Sequence, residues 1–537
     1  MPRWSTPVLA GVAGVASLAL VGATGVAVVQ YRQAEEAEQR AEAAEARADE
    51  LSTRVEELEQ RIEEGGGPDA PSDGGQGGLG DLGDLGGLLD GLMGGAAGTP
   101  GAACLTPEGG GLEGMLGEGD LEGLMEEFLG EDGQGLGDLF GGGDPNAEDG
   151  GGSGQQPDPE ALVEQVAGEV AELRGLEWSE PPEVEFLDQQ AMRQRLQEVL
   201  AEDYSAEDAD LERRQLVALG AVPRGTDMQQ LRQSLYEEQV AGFYDPESGE
   251  LVVGMPSGEI APADQVTLAH ELNHALTDQA LGLPDLADEQ YATDEDAALG
   301  ALALVEGDAT LLMSHWTMGS LSLVDQLTMA GDPSMMAAQE QLDALPPYLG
   351  AELMFPYMAG MDYVCHQWQD GEWPAVDEEY DAPPQTSAEV LWTDHPGLVG
   401  EPAELTAPEG YEEAHATTFG AAPLLWLLEA PGGDAERALA DAETRARAWG
   451  GGQLGLWTAG DDTAVGLSLL DQGGQTPLCD TVNEWYAAAF PDAEQESPDA
   501  TTTRFDGAHQ DAVLACEGED VLLGIGPDLE TAQQVVP

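Results

Sequence analysis

The sequence predicts an α+β protein held behind a membrane anchor, a coiled coil and a long linker. Three observations predict it: an uncharged apolar run near the start, a faultless three-four apolar repeat after it, and helical stretches flanking one hairpin in the last 380 residues or so. Taking the segments in order, Val8 to Val29 is 22 residues without a charge, behind Arg3 and ahead of Tyr31 and Arg32. As a helix it would reach about 33 Å, enough to cross the hydrocarbon core. A cleaved signal peptide with Gly25-Val26-Ala27 as its cleavage site is the alternative. The length of the run favours an anchor over residues 1–29, with Arg3 inside and the acidic bulk outside.

Residues 30–64 read as a coiled coil. Ala34, Ala37, Ala41, Ala44, Ala48, Leu51, Val55, Leu58 and Ile62 alternate spacings of three and four, and Gly65-Gly66-Gly67 ends the pattern. A homo-oligomer joined at the coil follows from that reading; a single solvated helix is the alternative. Residues 65–157 are rich in Gly and Asp, with fragments such as Leu79 to Leu82 and Leu136 to Leu139. They offer too little apolar area to offset the entropy of ordering and read as a disordered linker.

From residue 158 the pattern changes. Helical periodicity covers Leu162–Leu173, Gln189–Glu202, Ala209–Leu219 and Met228–Val240. Ala241 to Val253 then reads as a hairpin about Asp245-Pro-Glu-Ser-Gly249. Helix resumes at Ala263 and again from Asp294 to Met318, and Pro- and Gly-rich loops are expected from Pro374 to Pro408. These define a domain over 158–400. A small α+β region follows over 401–537, with strands at Ala512–Cys516 and Val521–Ile525 and a closing helix at Asp528–Val535.

Composition narrows function. There are 105 acidic residues against 17 basic ones, all Arg, for a net charge of −88. Such a chain repels phosphate backbones, which excludes nucleic acid as a partner. Cys479 and Cys516 can pair, which suits an extracytoplasmic setting; Cys104 falls in the linker and Cys365 in a helix. No Cys-x-x-Cys pair is present, so a thiol-ligated zinc is not expected.

The chemistry is concentrated in His270-Glu271-Leu272-Asn273-His274. A spacing of four sets both imidazoles on one helical face, where they can share one Zn²⁺. Glu271 lies about 100° round the helix, placed to act on water as general base without being a ligand. Catalytic zinc needs a third protein ligand. Glu306, a carboxylate on the apolar helix Ala298–Met313, is the candidate, with Glu295 as the fallback three turns earlier. Oxyanion stabilisation requires a Tyr or His; Tyr357, His366, His395 and Tyr244 are available. His315 is out of phase with Glu306 and is not expected to be a ligand.

These residues resemble the gluzincin, thermolysin-like branch of HExxH zinc metallopeptidases. Glu238 to Pro246, Ala269 to Leu276, Val305 to Thr310, Phe355-Pro-Tyr357 and Pro383 to Ser387 further resemble a group of secreted or membrane-anchored actinobacterial metallopeptidases. The resemblance covers Pro159 to the C-terminus. It implies a zincin-like domain, His270, His274 and Glu306 as zinc ligands, Glu271 as base, and a protein or peptide substrate laid along the hairpin edge. Thermolysin-like enzymes carry Asp four residues after the ligand Glu, where this chain has Thr310. Asp278 and Asp308 are the alternatives for orienting an imidazole. The expected function is therefore peptide-bond hydrolysis at the cell membrane. The rivals are a non-catalytic surface scaffold on the same fold and a hydrolase of cell-wall amide bonds.

Overall fold

The computed structural model describes residues 104, 159–255, 260–288, 290–330, 338 and 340–536. The expected membrane helix, the coiled coil and all of the linker except Cys104 lie outside the described residues.

The first helices begin and stop where local chemistry directs. α1 (Pro159–Arg174) carries Glu160 in its first turn and Arg174 in its last, and Gly175 leaves it with φ at 76°. β1 (Val184–Leu187) follows. α2 (Gln189–Asp203) starts from Asp188, whose carboxylate accepts the Gln190 and Ala191 amides. α3 (Ala206–Ala218) opens on a reciprocal capping box between Ser205 and Asp208, and α4 (Met228–Gln239) opens on Asp227. β2 (Gly242–Asp245) and β3 (Glu250–Gly254) form the expected hairpin, and Gly249 supplies the positive φ its turn requires. β1 joins this sheet in parallel with β3, giving the order β1-β3-β2 and leaving β2 at an edge.

α5 (Pro262–Ala280) carries the HExxH residues. Pro262 occupies its first position and Asp264 accepts the Ala261 amide, so the helix starts cleanly. α6 (Glu295–Ser320) is capped by Asp294 and carries Glu306. Its length and apolarity would let it cross a bilayer, but 89% of its most apolar window is buried inside the protein, so it is a core helix. α7 (Leu323–Ala330), α8 (Pro347–Gly371), α9 (Trp373–Glu379) and α10 (Ser387–Leu391) follow. The last two fall within the stretch expected to be loops. Pro374 sits in the first turn of α9, where its missing N–H costs nothing, and Thr386 caps α10.

α6 and α8 pack at unusually short range. A Cβ on Gly307 would lie 2.2 Å from the Gly360 carbonyl oxygen, and a Cβ on Gly360 would lie 2.2 Å from that of Ala303. Gly307 meets Gly360 and His315 meets Trp368 at the same offset, so the two helices run parallel.

β4 (Glu412–Thr418) opens the C-terminal region, followed by α11 (Ala421–Glu429), α12 (Ala442–Ala446), β5 (Trp449–Ala459) and β6 (Asp462–Asp471). α13 (Leu478–Ala489), β7 (Glu494–Glu496), β8 (Thr502–Asp506), β9 (Asp511–Glu517), β10 (Asp520–Gly526) and α14 (Leu529–Val535) complete it. The strands form one antiparallel sheet in the order β4-β5-β6-β10-β9-β8-β7. β9, β10 and α14 match expectation; β4 to β8 were not read from sequence, and in β5 Gly450-Gly451-Gly452 breaks the alternation.

This sheet grips the start of α6. The Glu295 and Asp296 amides donate to the Thr417 and Thr418 hydroxyls, and Thr418 donates to Asp294 at 2.7 Å. Asp296, buried beneath Gly420, accepts the Ser387 amide at 3.0 Å. The C-terminal region therefore fixes the helix that carries Glu306. Cys479 bonds Cys516 as expected, while Cys104 is not loose as the linker reading implied: it is buried and bonded to Cys365 on α8.

Candidate metal centre

Helical spacing brings His270 and His274 to one face of α5, with rings 4.7 Å apart. Their Nε2 atoms approach to 3.0 Å, and Glu306 Oε2 lies 3.2 Å from His270 Nε2 and 3.6 Å from His274 Nε2. All three side chains are at most 1% exposed. Two imidazole nitrogens and a carboxylate oxygen thus converge on one point in the buried interior. Together they can hold a metal ion.

The unsatisfied groups fit that reading. Glu306 Oε1 and both carboxylate oxygens of Glu271 are buried without a hydrogen-bond partner. Burial pushes the Glu306 carboxyl up to about 7, opposed by its contact with His270. Burial, reinforced by the nearby Glu306, pushes Glu271 well above the usual carboxylate range. The Tyr244 amide offsets part of that rise without reaching hydrogen-bond geometry to either oxygen. Two buried carboxyls beside two imidazoles are costly unless a cation joins them.

β2 lies directly against the Glu271 turn. A Cβ on Gly242 would stand 2.8 Å from Thr267 Cγ2 and 3.2 Å from Glu271 Cγ, so only glycine allows this approach. Two residues on, the Tyr244 hydroxyl donates to Asp278 at 2.7 Å, pinning the strand to α5 one turn beyond His274. Asp278 also accepts the Leu283 amide.

The other sequence candidates fall in distinct places. Tyr357, on α8 and 3% exposed, has its ring 6.4 Å from that of His270. His366 is exposed on α8, and His395 packs against Trp392 and, from the C-terminal region, Trp449. Glu295 pairs with His415 at 3.0 Å rather than joining the cluster. α6 runs unbroken through Gly307, so Asp308 points away from Glu306, as a helix of that pitch requires. It accepts a two-pronged pair of bonds from Arg174, both 3.1 Å, and one from the Tyr380 hydroxyl at 2.8 Å. Arg174 also meets Asp377 at 2.6 Å and lies over the Trp373 ring.

That network, and the Gly307–Gly360 contact, were not identified from sequence. Scarcity was the available signal for Arg174: it is one of 17 basic residues, at the end of an amphipathic helix. Its partners lie far along the chain and carry no local signature.

Comparison with known protein families, with curated proteins and with solved structures returned no match.

Proposed function

We propose that this chain is a membrane-anchored zinc metallopeptidase with a zincin-like domain. The single observation that carries the proposal is the His270, His274 and Glu306 triangle. Its sides of 3.0, 3.2 and 3.6 Å bracket the edge of about 3.3 Å that a tetrahedral zinc site with bonds near 2.0–2.1 Å requires.

A zinc ion in that triangle would supply the Lewis acidity that lowers the pKa of water towards about 7 and polarises a carbonyl. The protein's own groups supply the rest. His270 and His274 are held on one face by α5, and Glu306 is set by α6. Glu271, one residue on from His270 and with both oxygens unpartnered, is placed to take a proton from the attacking water and pass it to the departing amine. Among the described residues β2 pairs on one side only, with β3. An extended peptide adding to its other edge would lie across the Glu271 turn. Tyr357, beside His270, is the candidate to stabilise the developing oxyanion. His270, Glu271, His274 and Glu306 are all buried, so a peptide reaches them only after a rearrangement that exposes the site.

Pairing of all four cysteines supports an extracytoplasmic setting, in line with the apolar N-terminal run. An intact Glu271 favours an enzyme over a scaffold on the same fold. The test is zinc content with hydrolysis of casein or a quenched peptide, for the parent and for Glu271→Gln. The reading expects about one zinc in each protein and a fall in rate of about 10³-fold or more in the variant. Equal rates in the two would remove Glu271 as the base, and absence of zinc from both would remove the site.

A further inference from the structure

His315 has no part in the metal centre, yet it is half-buried between two tryptophans. Its ring centroid lies 5.3 Å from that of Trp368 and 5.9 Å from that of Trp373. Burial lowers its pKa, so the imidazole is neutral, with a single N–H to satisfy. The Cys104 carbonyl meets Nε2 at 2.9 Å and can only accept, so the proton sits on Nε2. Cys104 is 5% exposed and Cys365 3%, and the Gln369 amide nitrogen lies 3.4 Å from one sulfur and 3.5 Å from the other. The C-terminal ends of α6 and α8 thus form a seat with a polar partner, a sulfur partner and aromatic walls. Its occupant belongs to a part of the chain read from sequence as loose linker.

We propose that this seat is a docking site for the chain's own N-terminal segment at Cys104, locked by the Cys104–Cys365 disulfide. Everything N-terminal of Cys104 then stays covalently attached to the metal-site domain after the backbone between 105 and 158 is cut. Cys104 and α1 are then joined through the disulfide to α8 as well as through the backbone. Release requires both backbone cleavage and reduction. A dithiol reductant gives two electrons and two protons to the S–S bond, leaving two cysteine thiols and the reductant as its own disulfide. The inference is independent of the metallopeptidase reading, because it concerns only how the domain is attached.

The test inserts a specific protease sequence into the Gly150–Gly152 run of the full-length protein. After cleavage, a gel without reductant should show one species of the uncut mass, and dithiothreitol should split it into two. Separation of the fragments without reductant would overturn the proposal. Cys104→Ser should separate without reductant while leaving α8 untouched. A measurement on the unaltered parent needs no variant: mass mapping after iodoacetamide in denaturant should find Cys104 and Cys365 unmodified until reduction, and modification before reduction would refute the lock. Docking has its own readout. In the reduced, uncut protein, Cys104 should alkylate at least about tenfold more slowly than in denaturant, because its sulfur is covered. Equal rates would leave a bond without a seat and overturn the docking claim.

Discussion

Replacing Gly307 by Ala should damage both the fold and the candidate metal centre, and the size of the effect can be worked from one contact. In an exposed helix the change would be favourable, by up to about 1 kcal/mol of helix propensity. Here the new Cβ would stand 2.2 Å from the Gly360 carbonyl oxygen, 2.3 Å from its carbon and 2.8 Å from the Met361 nitrogen, against 3.4 Å for ordinary contact. All three atoms are backbone, so no side chain can rotate away. α6 and α8 must part by about 1 Å, and overpacking of that kind costs about 1–3 kcal/mol or more. With three backbone atoms under 3.0 Å the clash falls at the upper end of that range, so after the propensity gain net destabilisation should be about 2 kcal/mol. Glu306 is the adjacent residue, and a shift of about 1 Å far exceeds the tolerance of about 0.2 Å in metal–ligand distances. Zinc affinity should therefore fall about 10–100-fold. Gly168→Ala in α1 is the control: no atom lies within 4 Å of its Cβ, so the same substitution should stabilise by about 0.5–1 kcal/mol. Urea unfolding of the metal-free proteins and calorimetric zinc titration supply both numbers. A Gly307→Ala protein with the parent's unfolding midpoint and zinc affinity would refute the close-packing argument.

Two further outcomes follow from buried carboxyls. Burial raises the Asp296 carboxyl from 3.8 to about 7. Between those values the folded protein holds a proton that the unfolded chain has released, so stability from this residue is present at low pH and is lost as pH rises through about 7. Asp296→Asn keeps an acceptor for the Ser387 amide and should flatten that part of the urea-midpoint profile; parallel profiles for parent and variant would exclude Asp296 as its source. Metal removal is the second. Zinc at about a thousand times its Kd should raise unfolding stability by about 4 kcal/mol, and a chelator should abolish the gain. Glu306→Ala should show no such gain at the same zinc concentration, and binding by the parent near pH 6 should release protons, seen as a buffer-dependent enthalpy, because Glu306 must ionise to ligate. An equal thermal shift in Glu306→Ala would exclude Glu306 as a ligand.

The amino-acid sequence by itself determined what is local. The spacing of His270, Glu271 and His274 on an uninterrupted helix, the Asp245–Gly249 turn and the apolar phase of α6 depend on neighbours within a few residues, and each is present as read. Glu306 was also legible, since a carboxylate on an apolar helix is expensive without a cation and so announces a partner. α8 was less so, because Pro356 and Gly360 interrupt a pattern whose continuity is set by packing on α6. Tertiary structure alone decided the relations between distant segments. It paired Asp308 with Arg174 and Tyr380, gave Glu295 to His415, placed the C-terminal sheet on the start of α6 and joined Cys104 to Cys365. Those partners are chosen by which surfaces close against one another when the whole core is buried, and no local propensity carries that information.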